Sequence, residues 1–114
     1  MATFVIVHGM FDGGWSWRRV GALLRGAGHE VYTPTLTGLG ESVHLAHPGI
    51  DLETHIADIA NLLYFEDLAD VRLVGHSYAG CVITGVADTP DNLKSFRAGS
   101  TPRERVVYTP MKAS

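Results

Sequence analysis

Apolar, β-branched residues gather along this chain in short runs, separated by stretches with helical spacing. TFVIVHG (residues 3–9) is such a run, closed by glycine, and predicts a buried strand. In the next segment Trp17, Val20, Leu23 and Leu24 share one helical face, with Gly26 and Gly28 as stop signals. EVYTPTL (30–36) predicts a second strand. TGLGESVHLAHPG (37–49), with its glycines, proline and small polar residues, predicts a loop. Asp51 is a good N-cap for a second helix, in which Leu52, Ile56, Ile59 and Leu63 make one apolar stripe. VRLVG (71–75) predicts a third strand, and AGCVITGVA (79–87) a third helix with Val82, Ile83 and Val86 inward.

The order β-α-β-α-β-α, with segments long enough for crossovers, predicts an α/β fold of three layers. Its sheet is mostly parallel, its crossovers right-handed, and helices cover both faces. Ligands of such sheets bind beyond the carboxyl ends of the strands. Two glycine-flanked segments fall at that end: HGMFDGGW after the first strand and GHSYAG after the third.

Composition narrows the class. A chain of 114 residues, 46% hydrophobic and 18% charged, is long enough for one globular domain with a modest core. A formal charge of −3 argues against nucleic acid or an anionic membrane as the main partner. The single Cys81 excludes an internal disulfide, suits a reducing compartment, and reads as a small core side chain. No apolar run approaches the roughly 18 residues of a membrane span, and MATFVIVHG lacks the pattern of a secretory leader. A cytoplasmic location is the expectation. Charge is uneven: residues 94–114 carry five basic side chains against Glu104 alone. A soft boundary near Asp88 therefore separates residues 1–88 from a divergent basic tail, 89–114, in which Arg105 to Thr109 predicts one further short strand.

The chemistry concentrates at Gly75-His76-Ser77-Tyr78-Ala79-Gly80. A strand turning sharply into a helix throws its apex residue above the sheet, and its neighbours must be small for strand and helix to approach. Serine suits that apex as a nucleophile, because its attack creates an oxyanion that N–H groups at the helix start can bind. The loop after His8-Gly9 faces the same cleft, so the backbone N–H groups of Met10 and Tyr78 together form a candidate oxyanion hole. Each such donor is worth roughly 2.7–4 kcal/mol in the transition state.

With these residues in hand, the chain resembles α/β-hydrolases, within them the small esterases and plant-type hydroxynitrile lyases. The matching stretches are FVIVHGMFDGGWSWRRV, GHEVYTPTLTGLGES and VRLVGHSYAG, within residues 3–88. The resemblance implies the N-terminal portion of an α/β-hydrolase fold, with Ser77 as nucleophile and Met10 and Tyr78 as oxyanion donors. The lyases carry threonine directly after the strand-end histidine; Gly9 stands there, which favours an esterase. Ala79 replaces the motif's usual second glycine, a mild departure because alanine is also small.

A second departure is larger. Family members take their catalytic histidine and acid from later loops, and no histidine follows His76 in this chain. His8 resembles the family's structural histidine. His76 adjoins Ser77, and side chains diverge at a sharp turn. His29 precedes the second strand, away from the site, and His55 reads as lying on the polar side of its helix. His44 and His47 sit in a loop that would have to fold over the cleft. Losing the triad histidine costs about a millionfold in turnover, leaving on the order of 1,000–10,000-fold over water.

The expected function is thus hydrolysis of a small carboxylic ester through an acyl-serine, weak or incomplete, with base and acid unassigned. A module that binds a small carbonyl ligand without turnover, or a fragment that oligomerises through an exposed sheet edge, are the alternatives. Neither cofactor nor metal is expected: Gly9, Gly13 and Gly14 do not spell G-x-G-x-x-G, and His44, His47 and His55 lack matching ligands. Trp15 and Trp17 read as packing anchors.

Overall fold

The computed structural model describes residues 2–68, 70–88 and 106–109. Among these residues four parallel strands form one sheet in the order β2-β1-β3-β4: β1 (Thr3–Val7), β2 (Glu30–Tyr32), β3 (Val71–His76) and β4 (Val106–Thr109). Three helices among the described residues connect or follow them: α1 (Arg18–Gly26), α2 (Leu52–Phe65) and α3 (Ala79–Asp88). The parallel α/β architecture expected from the sequence is the one observed. Within the expected Arg105–Thr109 run, Val106–Thr109 pairs with β3 as β4, Leu73 opposite Val106 and His76 opposite Thr109. The boundary near Asp88 and the rest of the basic tail fall largely on residues 89–105 and 110–114, outside the described residues.

Register explains the two faces. Val5 pairs with Leu73 and Val7 with Gly75, while Phe4 pairs with Val31. Successive strand side chains point to opposite faces, so Val5, Val7, Val71 and Leu73 share one side. There they join Ile59 and Leu63 of α2 and Val82, Ile83 and Val86 of α3 in a single buried cluster. On the other side a Cβ at Gly21 of α1 would lie 3.8 Å from Val31, which places α1 against that face. Gly85 of α3 lies so close to the Ile56 side chain of α2 that a Cβ there would displace it.

Several expectations change. The 3–9 run ends as a strand at Val7 and the 30–36 run at Tyr32. Pro34 has no N–H to give a ladder, and the Leu36 N–H is donated instead to His8 Nε2 at 2.9 Å. Leu36 is still fully buried, so its apolar character serves the core from outside the sheet. The 37–49 loop contains a 3-10 segment, Gly40–Leu45. Another, Gly14–Trp17, precedes α1.

The α1 stripe is only partly used: Val20 and Leu23 are exposed, Trp17 and Leu24 half-buried, and Gly21 makes the close approach. Trp15 is exposed rather than an anchor. Cys81 is likewise exposed, because Val82 and Ile83 beside it take the inward positions of α3. The buried side of α2 is His55, Ile59 and Leu63, at spacings of four, while Leu52 is exposed. His55 therefore lies inside, not on a polar face. Asp51 caps α2 as expected, accepting from Thr54 N–H in a reciprocal capping box. No helix among the described residues is long and apolar enough to cross a membrane.

Candidate active site

Ser77 stands between β3 and α3 with φ +61°, in the left-handed region that side-chain-bearing residues rarely adopt. One glycine makes room for this turn, and a second lies beside it at ordinary contact distance. At Gly75 a Cβ would meet the Ala79 carbonyl oxygen at 2.8 Å; at Gly9 one would lie 3.5 Å from Ser77 Cβ. Gly80 N–H returns to the Ser77 carbonyl at 2.9 Å and Cys81 N–H to that of Tyr78 at 2.9 Å, starting α3 immediately. Among the described residues no backbone hydrogen bond is found from the N–H of Met10 or of Tyr78.

Beyond the carboxyl ends of β1, β2 and β3 lies a cavity of about 430 Å³. Met10, Thr37, Leu39, His47, His55 and Tyr78 are among its lining residues. The structure thus brings Met10 and Tyr78, 68 positions apart, to one cavity. A second cavity, about 340 Å³ between Arg25, His29 and Tyr32, is at the opposite end of the strands, around the start of β2. Position in the sheet, rather than size, favours the first.

The loops around the cavity are held by hydrogen bonds between distant segments. Gly14 N–H donates to Thr35 Oγ1 at 2.9 Å, and that hydroxyl donates to Glu41 at 2.6 Å. The latter bond is the main reason the Glu41 carboxyl titrates below its ordinary value. Thr37 is held twice by Asp58, which accepts its N–H and its hydroxyl, each at 2.7 Å. Thr35, Thr37, Glu41 and Asp58 were not singled out by the sequence. For Asp58 a signal existed: it sits three residues after His55, on the same side of α2.

All six histidines lie within the described residues, and none hydrogen-bonds the Ser77 hydroxyl. His8 is fully buried. Its Nε2 accepts from Leu36 N–H, so the ring proton is on Nδ1 and is donated to the Gly9 carbonyl at 2.7 Å. Burial holds its pKa below the ordinary value, against smaller raising contributions from Gly9, Asp12 and Glu41. His55 is equally committed, between Tyr78 Oη at 2.8 Å and the Thr37 carbonyl at 2.9 Å. His29 accepts from Ala2 N–H and stacks edge-on with Phe4. The His76 ring meets Trp17 edge-on at 5.9 Å, with a buried Nδ1 that has no partner among the described residues. His44 is exposed, and His47, also exposed, uses Nδ1 to accept from Gly49 N–H at 3.0 Å. Among the described residues no group of three or more His, Cys, Asp or Glu converges on a point where a metal ion would sit.

Comparison with known proteins gives the family of this fold. The model of a family described as "Alpha/beta hydrolase family" matches residues 4–113, past the 3–88 stretch on which the motifs rest. Over 88 residues the chain is 57% identical to a carbendazim hydrolyzing esterase of Nocardioides sp. (strain SG-4G), covering 77% of this chain and 36% of that protein. It is 38% identical to Methylesterase 1 of Arabidopsis thaliana, covering 68% of this chain and 30% of the other. An extracellular α/β-hydrolase structure from a Paenibacillus species superposes with a TM-score of 0.71 at 32% identity. That match covers 81% of this chain and 37% of the other. The chain thus spans about a third of the length of the relatives it matches. Sheet order, serine turn and family match lead to one statement: the chain belongs to the alpha/beta hydrolase family.

Proposed function

We propose that this chain carries the nucleophile, oxyanion hole and part of the substrate pocket of a carboxylic-ester hydrolase. Ser77 Oγ attacks the carbonyl carbon of a small ester, its proton passing to a base. The N–H groups of Met10 and Tyr78 hold the oxyanion that forms. The bond to the alcohol oxygen breaks as that oxygen is protonated, leaving an acyl-serine that water cleaves to the acid. The observation that carries this reading is the left-handed φ of +61° at Ser77, beside a cavity lined by both Met10 and Tyr78. The names of the esterase relatives support the same substrate class.

No histidine of the chain is placed as the base, so the reading includes slow turnover by these 114 residues alone. Covalent labelling with a fluorophosphonate, followed by intact mass, tests it on the full chain beside Ser77→Ala at several protein concentrations. Slow single labelling, lost in the variant, is expected. Rapid labelling at every concentration would show that the chain holds its own base and overturn the incomplete-site part. Acceleration with concentration would assign the base to an assembly, for which β2 and β4 offer the edges of the described sheet.

A second reading, a small-carbonyl binder without turnover, is favoured by the way His8 and His55 have both ring nitrogens engaged. Ligand binding by a folded protein that does not label would select it.

A further inference from the structure

Tyr78 carries two groups with different uses. Its backbone N–H belongs to the oxyanion pair proposed above. Its side chain packs against the cluster under α2 and α3 and ends 2.8 Å from His55 Nδ1. The direction of that bond follows from the other ring nitrogen. His55 Nε2 lies 2.9 Å from the Thr37 carbonyl, which only accepts, so the neutral ring keeps its proton on Nε2. Nδ1 then offers a lone pair, and the phenol donates to it. Burial, and after it Cys81 and Asp51, raise the phenol's pKa, so the donor keeps its proton at neutral and moderately alkaline pH.

His55 is itself held in place. It is 5% exposed on α2, whose first turn is fixed by the Asp51–Thr54 capping box. Three residues on, Asp58 binds the same Thr37 that His55 binds. The phenol therefore ties the serine turn to a helix anchored by other contacts, across 23 positions of sequence. Ser77 needs such a tie, because a left-handed serine relaxes at a gain unless its surroundings hold it. Rotation of the turn toward relaxed dihedrals would swing the Tyr78 N–H away from that of Met10, and the bond to His55 opposes it.

We propose that His55 is a positioning residue: through the Tyr78 hydroxyl it keeps the serine turn in its strained form and aims the Tyr78 N–H beside that of Met10. The catalytic consequence rests on the ester-hydrolase reading above, whereas the restraint on the turn is independent of it.

The test compares the full chain with Tyr78→Phe, His55→Leu, His55→Gln and the Tyr78→Phe/His55→Leu pair. Tyr78→Phe deletes only the hydroxyl. Glutamine offers an amide oxygen to the phenol and an amide N–H to the Thr37 carbonyl. The rate constant of Ser77 phosphonylation at saturating fluorophosphonate is expected to fall about tenfold in Tyr78→Phe and in His55→Leu. The half-saturating reagent concentration stays unchanged, His55→Gln recovers most of the loss, and the pair falls no further than the worse single variant. In ¹H–¹⁵N spectra the amide resonances of Ser77, Tyr78 and Ala79 broaden in His55→Leu but not in His55→Gln.

Phosphonylation of Tyr78→Phe at the wild-type rate overturns the inference, and so do unchanged turn amides in a folded His55→Leu. Should His55→Leu fail to fold, Tyr78→Phe decides by the same two readouts. Absence of phosphonylation in the wild type removes the hydrolase reading alone, and the amide spectra then decide the positioning role.

Discussion

A Cβ on Gly75 would stand 2.8 Å from the carbonyl oxygen of Ala79, so β3 runs against the first turn of the helix it feeds more closely than any side chain allows. Ile83 Cδ1 closes the same space at 2.9 Å. Gly75→Ala must push backbone aside and is expected to cost about 2–3 kcal/mol. Gly9→Ala is the contrast, since its nearest contacts are 3.4–3.5 Å, and its cost should stay within about 1 kcal/mol. Urea unfolding of the two variants measures the difference; equal stabilities would mean the turn adjusts freely.

Ser77 at φ +61° predicts a trade between stability and reactivity. Ser77→Gly removes the left-handed penalty of about 1–2 kcal/mol but adds freedom to the unfolded chain. A net gain on the order of 1 kcal/mol, several degrees in Tm, is expected together with complete loss of fluorophosphonate labelling. Ser77→Ala keeps the strain, so it should lose labelling with no rise in Tm.

His8 predicts a pH dependence whose sign follows from its tautomer. Both ring nitrogens are engaged in the neutral form, and burial holds the folded pKa below the ordinary 6.5. Between the two values the unfolded chain binds a proton that the folded chain does not. The stabilising contribution is therefore complete above pH 6.5 and is lost as pH falls through the folded pKa. The Tm of the wild type should drop between pH 7.5 and 5. His8→Gln, which can bond both the Gly9 carbonyl and the Leu36 N–H without titrating, should flatten that drop.

Asp58 holds Thr37, which lines the cavity beside Leu52 and His55 of α2. Asp58→Ala leaves the Thr37 N–H and hydroxyl without their two 2.7 Å partners and is expected to cost about 1.5–3 kcal/mol. Asp58→Asn retains an acceptor and should cost less. Amide hydrogen exchange at Thr37 and Gly38 distinguishes the two, fastest in Asp58→Ala; exchange at the wild-type rate there would show that other contacts hold this loop.

Much of the fold was legible because its signals are local. The β-branched runs at 3–7 and 71–75, the Asp51 cap, and the inward Val82, Ile83 and Val86 follow from spacing and backbone constraint within a few residues. The misreadings share one cause. Pattern gives His55 and Leu23 a side, and residue type alone makes Cys81 core and Trp15 an anchor, yet each element's angle to its neighbours is set by contacts such as Gly85 against Ile56 and Gly21 near Val31.

What the sequence determined by itself is therefore the order of elements, the parallel sheet, and a serine between small residues at a strand-to-helix turn. Hydrophobic periodicity and glycine placement carry that information along the chain. The sequence also leads to the expectation that Met10 and Tyr78 face one cleft; only the tertiary structure decided that both line a cavity with His47 and His55, that His8 and His55 have both ring nitrogens engaged, and that Ser77 is left-handed. Those properties depend on contacts between segments well separated in sequence, 28 positions for Leu36 to His8 and 23 for His55 to Tyr78, and spacing within one element cannot encode them.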